Sequence, residues 1–445
     1  MYDTVAQYGQ ALSGQVDDWH PPVMVRLWQL LHPLARTTAP MFVLQVTLYA
    51  IGFALIVAAL VRIGRWRAGL AAMVLALSPL LLGWQMVVLK DTQMLGALVA
   101  AVGIVAQYRI TDRPIPIAAG AVVIVLLAYA TLVRSNAVFA TAPFAVLMLP
   151  LPDSPRLRSG LAVAMVGVVV GLSPIINHRL LGATPSGLGK SLPMFDLAAI
   201  AVASPNSPSP FNEAERREIV ARHCVKAFFW DPLGDPSACG PATSRLNEQA
   251  DSVLYAALAR EVAAHPVAYA AHRLAHWNST ERWLVAAGLP DAAPPIEAEP
   301  NGLGLETPSS PIAASWQDVA ADEAATPLGW PIAWTIISLV LLRAAWRRRA
   351  KGAGRLAFAL LASGLTLEAS FLIVSIASDL RYHLWPMAAS ALALILLSDV
   401  VILKRRGWIA ASGLLSLAVA GGIFTRETLP ASPGSYQGMI HSATG

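Results

Sequence analysis

Residues 42–61, FVLQVTLYAIGFALIVAALV, run without a single charge. A helix of about 20 apolar residues is long enough to cross the hydrocarbon layer of a bilayer. Nine further stretches are read the same way: 68–86, 92–109, 115–133, 136–150, 159–177, 329–346, 355–377, 384–403 and 407–424. The fifth is short, and Pro143 is expected to kink it. The chain has 445 residues, of which 56% are hydrophobic and 13% charged, against roughly 25% charge in soluble domains. The predicted fold class is therefore an all-α polytopic membrane protein with about ten transmembrane helices and one large extracytoplasmic, mostly helical loop domain. The net charge of +5 is spread over short clusters between apolar runs, a pattern that excludes nucleic acid as the expected partner. No internal repeat is visible, which counts against the inverted-repeat transporters.

Lysine and arginine in short loops set the orientation. One set of connections holds Arg62, Arg65, Arg67, Arg109, Arg113, Arg156, Arg158, Arg343, Arg347, Arg348, Arg349, Lys351, Arg355, Lys404, Arg405 and Arg406; the alternate turns hold Lys90, Arg134 and Arg381. The first set is assigned to the cytoplasm, so both ends of the chain and the 178–328 segment are expected outside. The expected division is an outer N-terminal loop with an interfacial helix (1–41), membrane helices (42–177), an extracytoplasmic domain (178–328), further membrane helices (329–424) and an outer tail (425–445). An outside N-terminus needs either a first helix that inserts N-out unaided or a preceding apolar helix encoded just upstream of Met1, and the second is the expected device.

Within 178–328, Asn212 and Glu215 have capping-box spacing for a helix reaching about Cys224. A longer helix is expected from Ser244 to about Ala264 and another to Trp283, with 290–312 irregular. His272 and His276 have the i, i+4 spacing that suits a metal, but no matching Glu-x-x-His accompanies them and they are read as a surface helix face. Cys224 and Cys239 lie in the segment placed outside, where disulfides persist. They enclose Trp230-Asp231-Pro232 and Gly234-Asp235-Pro236, which can turn the chain back, so a Cys224–Cys239 disulfide is predicted.

Polar clusters flank the apolar runs. Asp17-Asp18-Trp19-His20-Pro21-Pro22 precedes the first, with Asp3 upstream. Lys90-Asp91 lies between the second and third, Arg134-Ser135-Asn136 between the fourth and fifth, and Asp379-Leu380-Arg381-Tyr382-His383 between the eighth and ninth. The orientation puts all four on the outer face. Carboxylates supply a general base or a metal ligand. Lys90, Arg134 and Arg381 supply charge for phosphate. His20, Tyr382 and His383 donate hydrogen bonds or shuttle protons. Pro21-Pro22 fits helix initiation, and Val23, Met24, Leu27, Leu30, Leu31 and Leu34 form an apolar stripe for an interfacial helix over 22–34. Glu368 lies inside the eighth span and is a functional candidate on that ground. The alternatives are that Asp18 merely caps the interfacial helix and that the three cations are interfacial anchors.

The pattern of Asp3, His20-Pro21-Pro22, Lys90-Asp91, Arg134-Ser135-Asn136 and Arg381-Tyr382 resembles the GT-C class of polytopic glycosyltransferases. The branch is that of the protein O-mannosyltransferases, the lipid A aminoarabinose transferase and their bacterial relatives. The resemblance implies a transferase of the bacterial cytoplasmic membrane with its active site outside. The donor is a polyprenyl-phosphate sugar, the acceptor an envelope glycan, lipid or protein. An acidic residue deprotonates the acceptor, here Asp3, Asp17 or Asp18 with His20 assisting, while Lys90, Arg134 and Arg381 hold the donor phosphate. Asp91, Asn136, Tyr382, His383 and Glu368 are further candidates. The family's usual Asp-Glu pair is Asp3-Thr4 here. No cofactor is implied with certainty, although a divalent metal is compatible with the carboxylates. The rival readings are a surface-polysaccharide polymerase or ligase, a transporter or flippase, and a structural membrane scaffold.

Overall fold

The computed structural model describes residues 1–305, 310–350, 352–398 and 405–442. Among these residues the fold is all-helical, and β pairing is limited to two isolated bridges, Asp17 with Thr184 and Phe229 with Ala377. Among the described residues five helices are long and apolar enough to cross a membrane: Ala39–Arg62, Pro155–Leu180, Gly352–Val374, Leu380–Leu397 and Ile409–Thr428. A sixth candidate is the pair Trp66–Ala76 and Pro79–Gln85, bent by 53°. Helices also occupy the remaining predicted stretches. Ile117–Val133 and Ser135–Met148 are apolar but shorter, and Pro143 lies within the latter.

The chain divides into two compact units. The first comprises Met1–Ser186, Ala293–Glu368 and Arg381–Ser416; the second comprises Gly187–Ala292, Ala369–Leu380 and Leu417–Gly445. By contacts, 178–186 and 293–328 of the predicted 178–328 domain group with the first unit. The predicted C-terminal tail, 425–445, belongs to the second unit, where Met439 and Ile440 are buried.

In the first unit the opening helices are α1 (Tyr2–Ser13), α2 (Pro22–Leu31), α3 (Ala39–Arg62), α4 (Trp66–Ala76), α5 (Pro79–Gln85), α6 (Lys90–Arg109), α7 (Ile117–Val133), α8 (Val138–Met148) and α9 (Pro155–Pro174). Helix α1 ends where Gly14 adopts φ 75° and returns its N–H to the Gln10 carbonyl, a left-handed cap that suits glycine. Helix α2 buries Met24, Val25 and Trp28 and leaves Leu30 and Leu34 exposed. On the buried face Trp28 turns inward against Tyr8, 5.1 Å between centroids, while Leu30 and Leu34 of the expected interfacial stripe stay on the outside. Helices α3 and α6 pack through glycine: a Cβ on Gly103 would lie 2.5 Å from the Gly52 oxygen, and one on Gly52 would lie 2.5 Å from the Val99 carbonyl carbon. Small residues allow such close backbone approach between membrane helices.

Arginines of the set assigned to the cytoplasm close helix ends. Arg158 donates to the carbonyls of Val146 and Leu147, Arg355 to Leu147 and Leu149, and Arg109 to Met148, all at the C-terminus of α8. Arg65 does the same for Leu396 and Ile395. Cations at helix C-termini satisfy orphan carbonyls and complement the helix dipole. Helix Pro311–Ala325 begins at the end of the stretch expected to be irregular, 290–312. It starts at Ser310, whose side chain accepts from the Ala313 N–H, with Pro311 in the first turn.

The second unit has its own apolar core, built on Phe195, Phe228, Phe229, Leu233 and the disulfide Cys224–Cys239. The capping box of Asn212 and Glu215 is present. The long helix expected over 244–264 is two, Gly240–Asn247 and Asp251–Ala264. The first is tethered by the disulfide at Cys239, Ala250 is extended at the break, and Asp251 opens the second helix, where an acidic residue is favoured. His272 and His276 are not on a surface face: His276 is buried and the His272 side chain is 7% exposed, both edge-on to Phe195. His272 lies 3.2 Å from Asp196, which also receives Arg273 at 2.5 Å.

Candidate functional site

Helix α1 presents Asp3 and Gln7 one turn apart on its buried face, as i, i+4 spacing requires. Thr4 on the same helix donates to the Val88 carbonyl at 2.7 Å and so ties α1 to the turn before α6. That turn is held by a buried amide network. Gln45 on α3 donates to the Gln85 and Val87 carbonyls at 2.7 and 3.0 Å. Thr92 donates toward the Val87 carbonyl, and its hydroxyl accepts from the Leu89 N–H. Gln93 donates to Gln45 at 3.1 Å and accepts from the Tyr129 hydroxyl at 2.9 Å. Hydrogen bonds in a low-dielectric setting are strong, and this network holds Lys90 and Asp91, the first residues of α6, in place.

Lys90 Nζ lies 3.2 Å from Asp3 Oδ2 and 3.0 Å from His20 Nδ1. Arg381, from the short turn Leu380–His383, puts Nη1 3.2 Å from the same Asp3 oxygen and Nε 3.7 Å from Asp91 Oδ2. Arg134, just after α7, reaches Asp91 Oδ1 at 2.6 Å and donates from Nε to Asn136 Oδ1 at 3.1 Å. The Tyr382 ring lies under Arg134, 4.0 Å from guanidinium carbon to centroid. The result is a chain of charges, Lys90–Asp3–Arg381–Asp91–Arg134, with Asp91 fully buried and Asp3, Arg134 and Arg381 nearly so.

Burial alone would raise the Asp3 carboxyl, but the Arg381 guanidinium and the Lys90 ammonium outweigh it and hold Asp3 well below the usual carboxylate range. His20 is pushed down to about 3, first by burial and then by the Lys90 charge beside it. The imidazole is therefore neutral near pH 7. Asp3 and Asp91 meet Lys90, Arg134 and Arg381 in a site nearly closed to water.

The four polar clusters that the sequence assigned to one face are thus joined through Asp3, His20, Lys90, Asp91, Arg134, Asn136, Arg381 and Tyr382. The reading of the three cations as interfacial anchors does not hold, because all three are paired with carboxylates. Asp17 and Asp18 belong to a different feature. Asp17 accepts from its neighbour Trp19 N–H at 3.0 Å and bridges to Thr184. Asp18 accepts from Ser186 N–H at 2.6 Å and faces His178 Nε2 at 3.5 Å. Neither caps α2, whose preceding residue is Pro21 with no side-chain cap. Glu368 and His383 form their own buried pair, His383 Nδ1 lying 2.9 and 2.8 Å from the two carboxylate oxygens. Gln7 and the amide network were missed. Glutamines inside apolar runs are their only sequence signal, and Gln45, Gln85 and Gln93 supply it. Among the described residues no group of three His, Cys, Asp or Glu side chains comes together as a metal site.

Comparison with protein-family models, with curated proteins and with solved structures gives no match.

Proposed function

We propose that the protein is an integral-membrane glycosyltransferase of the GT-C kind. It moves a sugar from a polyprenyl-phosphate donor to an envelope acceptor at the outer face of a bacterial cytoplasmic membrane. In this reading all ten apolar stretches cross, with α4 and α5 forming one bent span. The 187–292 segment lies outside, with the ends of α6, α7 and the Gly352–Val374 helix that deliver the cluster. The observation that carries the reading is the buried chain of alternating cations and carboxylates, held by residues from four separate parts of the sequence.

The chemistry follows from the same geometry. Asp3 takes the proton as the acceptor O–H bond breaks, the oxygen forms its bond to the sugar's anomeric carbon, and the bond from that carbon to the phosphate oxygen breaks. Lys90, Arg381 and Arg134 stabilise the charge that grows on the departing phosphate. In the resting site Lys90 and Arg381 make Asp3 a weak base. A bound phosphate competes for both cations and loosens their hold, so Asp3 gains basicity when the donor is in place.

The test is comparison of cell-envelope glycans with and without this gene, followed by restoration with purified protein and extracted lipid-linked sugars. Loss of one defined sugar, restored by the protein, is expected. Identical envelope glycans in both strains would contradict the reading.

A further inference from the structure

Within that reading, the placement of hydrogens around His20 carries a more specific assignment. Burial pushes Lys90 down and the Asp3 carboxylate 3.2 Å away pulls it back up; as the ammonium of that pair it has protons to give and no lone pair to offer. Its Nζ lies 3.0 Å from His20 Nδ1, so Nδ1 is the accepting nitrogen and the ring proton of neutral His20 sits on Nε2. That N–H is buried and has no hydrogen-bond partner. Its nearest carboxylate oxygen, Asp3 Oδ1, is 3.9 Å away, beyond hydrogen-bond range. Buried donors are nearly always satisfied. Gln7, one turn from Asp3 on the same face of α1, is also fully buried with neither amide atom bonded.

We propose that the gap between His20 Nε2 and Asp3 Oδ1 is the seat of the acceptor hydroxyl. The hydroxyl oxygen accepts from Nε2–H while its own proton points at Asp3 Oδ1. An oxygen about 2.8 Å from each atom fits such a gap. His20 is then a fixed donor that orients the acceptor lone pair and not a proton shuttle, and Asp3 alone receives the proton. The phosphate side of the same carboxylate, Oδ2, faces Lys90 and Arg381. The two oxygens of Asp3 thereby divide the site into an acceptor side and a donor side.

This assignment rests on the transferase reading, and the experiment separates the two. Nitrogen-15 histidine spectra of the full-length protein in nanodiscs, with His20→Gln to assign the signal, should show a neutral Nε2–H ring between pH 5 and pH 8. Transfer from extracted polyprenyl-phosphate sugars is then measured for two variants. Gln places an N–H donor near Nε2, whereas Asn places an acceptor near Nδ1 and no donor near Nε2. His20→Gln should keep acceptor kcat/KM within a few-fold. His20→Asn should lose about 10- to 100-fold there, with donor KM unchanged. A charged ring or an Nδ1–H tautomer overturns the assignment whatever the variants do. Equal losses in Gln and Asn variants that bear a normal melting temperature overturn it too. A wild-type protein that transfers no sugar overturns the transferase reading, and the spectrum then still decides where the proton sits.

Discussion

Arg381 touches both carboxylates of the cluster, Asp3 through Nη1 and Asp91 through Nε. Arg381→Ala leaves both with one cation less. Breaking a buried pair costs about 3–5 kcal/mol, and the donor KM is expected to rise by about 10- to 100-fold. Arg381→Lys should recover only part of this, since one ammonium cannot reach both acids in the geometry of a guanidinium fork. Full recovery with Lys would argue that the contact is a point charge. His20 gives a separate check. Unfolded, its ring takes a proton near 6.5; folded, it resists until about 3. Between those values the unfolded chain holds the extra proton, so the ring's contribution to stability is complete above about pH 6.5 and is lost as pH falls toward 3. The wild-type melting temperature should therefore fall relative to that of His20→Gln from pH 7 to pH 4.5, and an offset that stays constant contradicts the neutral buried ring. At this scale the sequence carried much of the site: once orientation is assigned from arginine and lysine, Asp3, Lys90, Arg134 and Arg381 fall on one side. It did not separate Asp3 from Asp18, because both precede the first span and local spacing says nothing of which acid a cation from residue 381 will meet.

Elements position these side chains. The turn Leu380–His383 carries Arg381 and Tyr382, and His383 at its end is anchored to Glu368 on the preceding helix. A carboxylate inside an apolar helix is expensive unless it holds something in place. Glu368→Gln keeps an oxygen for the Nδ1–H and should retain most transfer activity. Glu368→Ala releases the turn and should raise donor KM about tenfold with a smaller change in kcat; equal losses in both would show that the charge matters and not the anchor. The α3–α6 contact makes a second prediction. A methyl on Gly103 meets backbone, so Gly103→Ala should cost about 1–3 kcal/mol by overpacking, read as a lower melting temperature. Gly120→Ala on α7, which meets nothing within 4 Å, should be neutral. An unchanged Gly103→Ala protein would mean that the two helices are not packed so closely. Apolar runs foretold where these helices lie. They hid the break at 248–250, where a disulfide tether and an acidic helix start override continuous amphipathic pattern, and they hid the glutamines that pin α6, whose polarity is averaged away inside long apolar windows.

At the level of the whole chain, composition and hydropathy were enough for an all-helical membrane protein, and the predicted Cys224–Cys239 bridge is formed in the second unit. The unit boundaries were not legible. Gly187–Ala292 gathers with 369–380 and 417–445, segments remote in sequence, and such long-range contacts leave no local pattern. The central claim is that one carboxylate, Asp3, activates an acceptor in a site whose cations hold a lipid phosphate. The most direct measurement is sugar transfer by purified wild-type and Asp3→Asn proteins in liposomes supplied with extracted polyprenyl-phosphate sugars, with donor binding followed in parallel. The substitution keeps the shape and removes the basicity, and a general base contributes on the order of 10²–10⁴-fold in rate. Transfer should fall by about that factor while the donor still binds, and tighter than before, because the phosphate no longer competes with Asp3 for Lys90 and Arg381. Transfer within a few-fold of wild type in Asp3→Asn would contradict the account.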